Sequence, residues 1–281
     1  MSALRPFIWL VFVFSPCFPY KILIYAPKFG FAHVQFMGKM ADILQDRGHN
    51  ITMLFSEHDA SIPDCTRVKN AIRIPQSSGA AKMVSQWNTG DIFKWPAVVS
   101  SVAYIKRSYV NGGSFTTQCR ALLETPGLVE NLTREKYDVL ITEAFDYCGI
   151  GLSHVIGAKS LVTAAVLATH PGIARDLGIP IPPSYTKALQ QGSIDSHSFF
   201  ARARNFWLYM LEYFVCNNLQ GMMQSLYQEF YPNMLKLSEI HSNAAVTFYN
   251  NDPLLESASP TIAKMIFIGG LTVSQSKPLE D

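Results

Sequence analysis

Lys21-Ile-Leu-Ile-Tyr-Ala26-Pro27 opens the stretch that decides the fold. It is a short, nearly continuous apolar run closed by proline, the pattern of a strand buried on both faces in a parallel sheet. Gly30 marks the turn that follows. Over residues 34–47 the apolar side chains Val34, Met37, Met40, Ala41 and Leu44 recur at spacings of three and four, one face of a helix ended by Gly48. Residues 51–55 read as the next strand. A strand, a helix and a strand within about 35 residues predict parallel pairing through a right-handed crossover, a βαβ unit.

Working outward, strands are expected at 71–75, 138–141, 161–166, 245–249 and 265–268, which makes the fold class α/β with an open, mostly parallel sheet. Two long insertions, 76–136 and 169–242, carry helical spacing such as Trp95, Val98, Val99, Val102 and Ile105. Insertions of this size build a pocket or cap, or simply cover the sheet, and the sequence leaves both open. The stripe Phe206, Trp207, Tyr209, Met210, Tyr213 and Phe214 is expected to pack in the core, ahead of lining an apolar pocket or touching lipid.

Of the 281 residues 48% are hydrophobic and 16% charged, which rules out disordered and fibrous classes. Lys and Arg number 23 against 21 Asp and Glu, without a basic stripe, so nucleic acid is not an expected partner. Residues 1–20 combine Arg5, an apolar run over 6–14 and small residues near the end, the pattern of a secretory signal. No other stretch reaches the roughly 18 apolar residues of a membrane span, and Glu212 breaks the nearest, 205–218. Outside that leader stand Cys65, Cys119, Cys148 and Cys216, with no CxxC pair, so neither zinc nor a redox motif is supported. One or two bridges fit an oxidising lumen. Asn50 and Asn131 begin glycosylation sequons, Asn131 in the more polar stretch.

In doubly wound sheets the ligand crevice lies outside the strands' carboxyl ends, where strand order reverses. His33 falls just after the first strand, at the start of the first helix, and Glu143 just past the strand at 138–141. Where those strands are neighbours, both residues face one crevice. A helix start disfavours a charged ring, leaving the neutral imidazole a general base needs. A carboxylate on the far nitrogen would fix the tautomer and stabilise the imidazolium formed in reaction. A capping histidine beside a solvated rim carboxylate would explain the same positions without chemistry. Gly149-x-Gly151 follows a strand, but His154 stands where the dinucleotide fingerprint needs its third glycine. No GxSxG nucleophile elbow occurs. The remaining histidines, including His58 and His241, show no metal-ligand spacing and are expected in the core or on the surface.

The segments Lys21 to Pro27, Phe29-Gly-Phe-Ala-His33, Met37 to Leu44 and Gly48 to Thr52 resemble the amino-terminal half of UDP-glucuronosyltransferases. Tyr137-Asp-Val-Leu-Ile-Thr-Glu143 through Cys148, and Phe267 to Leu271, are similar to that family's later landmarks in the same order. The resemblance implies a Rossmann-like open parallel sheet with helical insertions, the amino-terminal domain of a two-domain glycosyltransferase fold. It divides the chain into a signal at 1–20, an acceptor-binding domain at 21–271 and the start of an interdomain linker at 272–281. It implies glycosyl, chiefly glucuronosyl, transfer to the hydroxyl of a small lipophilic acceptor, with His33 as base, Glu143 where many members carry aspartate, and Phe29, Phe31 and Phe145 at the acceptor. No cofactor is implied. UDP-glucuronic acid or UDP-glucose enters as co-substrate, held mainly by a donor domain that would follow residue 281, so this stretch alone is expected to be inactive. The endoplasmic reticulum lumen is the implied location, and a homo-oligomer or a hetero-oligomer with full-length relatives is the expected assembly. The rival expectation is a non-catalytic lipophile-binding or regulatory module.

Overall fold

A computed structural model describes residues 19–87, 101–166, 171–188, 198–255 and 259–273. Most of the expected signal, Trp95, Val98, Val99 and most of the expected linker lie outside them. The elements run β1 (Lys21–Pro27), α1 (Phe31–Asp46), β2 (Asn50–Ser56), β3 (Ala71–Ile74), α2 (Ser78–Trp87), α3 (Ser101–Leu123), α4 (Leu128–Arg134), β4 (Val139–Glu143), α5 (Tyr147–Val155), β5 (Ser160–Ala165), α6 (Pro171–Leu177), α7 (Phe199–Phe230), α8 (Leu237–Ser242), β6 (Val246–Tyr249) and β7 (Met265–Phe267).

The strands form one parallel sheet in the order β3-β2-β1-β4-β5-β6-β7. Strand order reverses between β1 and β4, which pair from Ile22 with Val139 to Tyr25 with Thr142. The unbroken apolar run of β1 follows from burial on both faces. Ile22, Ile24 and Ala26 pack with Val34, Met37 and Phe55 on the α1 side, while Leu23 and Tyr25 pack with Leu122, Ile150 and Leu226 on the other. Each strand of the sheet lies within two residues of its expected position at either end.

The first insertion supplies α2, α3 and α4, and the second α6, α7 and α8; α3 and α7 lie against each other. A disulfide joins Cys119 of α3 to Cys148 of α5. Gly149 and Gly151 serve packing. A Cβ on the first would overlap the Thr142 hydroxyl, and one on the second the Tyr227 ring.

The expectation of a buried aromatic stripe on α7 is corrected. The helix turns Leu208, Glu212, Val215, Met223, Leu226 and Tyr227 inward, and Phe206, Trp207, Met210 and Phe214 are exposed, Trp207 to 61%. Both faces of the segment are apolar, so hydrophobic spacing could not say which would meet the core. No helix among the described residues is long and apolar enough to cross a membrane.

Candidate active site

The turn between β1 and α1 places the first site residue. Gly30 caps α1 in an extended conformation without a side-chain cap. A Cβ there would stand 3.2 Å from the His33 ring, so the missing side chain lets the imidazole fold back over the helix start. Glu143 is the last residue of β4, the strand beside β1, and is fully buried. His33 Nδ1 lies 3.0 Å from Glu143 Oε1, which also accepts a bond from the Val166 amide at 3.4 Å. In the tautomer whose Nδ1–H donates to the carboxylate, the lone pair is on Nε2. The geometry is that of an oriented base.

Phe29 and Phe145 flank the imidazole, with ring centroids 4.3 Å and 5.8 Å from it. Both line a cavity of about 330 Å³, together with His33, Glu143 and, from the inserted helices, Tyr104, Phe115 and Val215. That volume lies in the range of small-molecule sites. Phe31 does not line it; two positions ahead of His33 on α1, it turns to solvent and is 54% exposed. The structure thus brings together His33, Glu143, Phe29 and Phe145 and leaves Phe31 out.

Residues that the sequence did not single out complete the lining. Asp146 caps α5, its Oδ1 accepting from the Cys148 amide at 2.9 Å. Burial pushes its carboxyl up to about 7, against the hydrogen bonds from the Cys148 amide and the Tyr25 hydroxyl and with the Glu143 charge adding to the rise. Tyr147, also in the lining, donates to Asp176 Oδ2 at 2.6 Å, and His241 Nδ1 lies 3.1 Å from the same oxygen. Burial works to raise the Asp176 carboxyl, but the bonds from His241, Tyr147 and Arg175 outweigh it and hold it below the ordinary carboxylate range. This hub ties α5, α6 and α8 together beside the cavity. Behind the aromatic wall His58 is fully buried, its ring 4.4 Å from Phe115, with neither nitrogen hydrogen-bonded to a described residue. Burial pushes its pKa down to about 3, so it is neutral. For the contributions of Asp176 on α6 and His241 on α8 the one signal was the size of the second insertion.

The human UDP-glucuronosyltransferase 3A1 is 27% identical over 260 residues, covering 89% of this chain and 47% of its own length. Human UDP-glucuronosyltransferase 1A8 is 28% identical over 188 residues, covering 66% of this chain and 35% of its own. The chain spans about half the length of the curated relatives it matches over most of its own. Among solved structures, the glycotransferase of kitacinnamycin superposes with a TM-score of 0.50 at 11% identity, covering 89% of this chain and 51% of that one, a likeness of fold. The sequence model described as "UDP-glucoronosyl and UDP-glucosyl transferase" matches residues 20–281. With that match over nearly its whole length, the chain belongs to the UDP-glucuronosyl and UDP-glucosyl transferase family.

Proposed function

We propose that these residues form the acceptor side of a glycosyltransferase that moves a sugar, chiefly glucuronic acid, from a UDP-sugar to the hydroxyl of a small lipophilic compound. The observation that carries this reading is the 3.0 Å contact between His33 Nδ1 and Glu143 Oε1 at the wall of an aromatic cavity. The acceptor hydroxyl meets Nε2 of His33, which takes its proton as the oxygen attacks the anomeric carbon. The new carbon–oxygen bond forms as the bond from that carbon to the UDP oxygen breaks, UDP leaves with the electron pair on the opposite face, and configuration inverts. The imidazolium formed is stabilised by Glu143, which replaces the usual aspartate with one methylene more.

The UDP-sugar is held mainly by a donor half, supplied in the same chain or by a partner. On the same reading, residues 1–20 direct the protein to the endoplasmic reticulum lumen, 21–271 bind the acceptor and 272–281 lead toward the donor half. Calorimetric titration of the 281 residues is expected to show binding of lipophilic phenols and negligible binding of UDP-glucuronic acid or UDP-glucose. Product formation with tight donor binding by this stretch alone would overturn the division of labour.

A further inference from the structure

Helix α7 shows solvent an apolar stripe that the cavity does not use. Phe199, Phe206, Met210 and Phe214 follow one another at spacings of seven and four, and Phe200, Trp207 and Phe214 at seven, so the six lie along one face. All six are exposed, Phe200 to 82%. The Trp207 indole donates to the Ser101 hydroxyl at 3.4 Å, which carries the stripe across to the start of α3, where Val102 is exposed as well. A contiguous apolar patch of this kind marks a docking surface.

The charges around the stripe say what docks there. Over 199–217 the basic residues are Arg202 and Arg204, and the one acidic residue is Glu212. Both arginines are exposed, and at about 100° per residue they fall on opposite edges of the stripe. Lys106 is exposed on α3. Glu212 is buried on the inward face. The stripe is therefore apolar with basic edges and carries no exposed acid. A second copy seated on it would set arginines against arginines with no carboxylate to meet them. A layer of anionic headgroups over acyl chains offers the opposite charge and an apolar bed together.

We propose that α7 docks the protein on the surface of an anionic bilayer, with Phe199, Phe200, Phe206, Trp207, Met210 and Phe214 below the headgroups and Arg202 and Arg204 at the phosphates. The helix lies in the plane of the surface, since none of the described helices is long and apolar enough to cross a membrane. Its inward face turns Glu212 and Val215 to the cavity, so docking sets that cavity one helix diameter, about 10 Å, from the lipid.

Flotation of the full chain with vesicles of phosphatidylcholine containing about 30 mol% phosphatidylserine tests this. The chain is expected to co-float, with a partition coefficient about tenfold above that for phosphatidylcholine alone. Salt at about 0.5 M should remove most of that difference and leave the apolar part of the binding. The variant F206S/W207S/F214S, checked for native circular dichroism, should bind about 100-fold more weakly. It leaves the apolar run over 6–14 intact and so separates the two candidate lipid contacts. The variant R202Q/R204Q should lose most of the preference for anionic vesicles and keep its partition into neutral ones. A parent chain that does not float overturns the proposal, as does a folded serine variant that floats like the parent. Equal partition into both kinds of vesicle overturns the role of the arginines. A parent dimer in sedimentation equilibrium that the serine variant loses, with no vesicle binding, assigns the face to a second copy and overturns the bilayer.

Discussion

Glu143 Oε1 and His33 Nδ1 lie 3.0 Å apart although 110 residues separate them, because β4 and β1 are neighbours in the sheet. The pairing commits one nitrogen of His33 to a buried carboxylate and leaves the other for substrate. In the chain fused to a relative's donor half, His33→Ala is expected to lower turnover by about 100-fold or more, the usual size of lost general-base catalysis. Glu143→Gln should cost less while acceptor KM changes little, since charge stabilisation and orientation go but the base stays. Steady-state kinetics separate the two. A dead His33→Ala beside an unimpaired Glu143→Gln would show that the imidazolium does not depend on this carboxylate.

Gly30→Ala isolates the turn. The backbone there is extended, so alanine brings no conformational strain, and its Cβ presses only on the His33 ring at 3.2 Å. We expect kcat to fall about tenfold from a displaced base, with Tm nearly unchanged. Unaltered kcat would mean that the ring has room to yield.

The Cys119–Cys148 bridge closes a loop of 29 residues in sequence separation, which by chain entropy contributes about 3–4 kcal/mol. The double variant C119A/C148A should melt about 10 °C lower in differential scanning calorimetry. An unchanged Tm would show that core packing alone holds α3 against α5.

His58 makes the fold acid-sensitive. Its pKa of about 3 in the folded chain stands below the 6.5 of a free imidazole, so its contribution is present above 6.5 and is lost as pH falls toward 3. Across that window stability falls by up to about 1.4 kcal/mol per pH unit from this group. His58→Phe, placed among Phe29 and Phe115, should flatten the decline in urea unfolding between pH 6.5 and 4.5. A decline as steep as before would assign the sensitivity to other groups.

The strands were legible because a two-face-buried parallel strand is written as an unbroken apolar run with proline or glycine at its end, as in β1. His33 and Glu143 were legible because strand order fixes which carboxyl ends share a crevice. Phe31 stands outside the cavity because positions two apart on a helix point about 200° apart, so nearness in sequence to His33 does not bring a side chain into the same cavity. Phe115, Asp146 and Glu212 were hidden for a different reason. Phe115 and Glu212 reach the cavity through packing of inserted helices, and no local pattern encodes which face of α3 or α7 turns to the rim, whereas Asp146 sits in the β4–α5 turn, where its role as the α5 cap shows only in the structure. Cys119 and Cys148 likewise pair through that packing rather than through any spacing between them.

Because β1 and β4 are joined only across the long first insertion, the pairing of Ile22 with Val139 is among the costlier contacts to close during folding. During synthesis the histidine emerges well before its carboxylate, and no amino-terminal piece that stops before Glu143 can contain the pair. Its formation therefore reports that the two halves of the sheet have met, and without the β1–β4 contact the imidazole has no carboxylate to orient it.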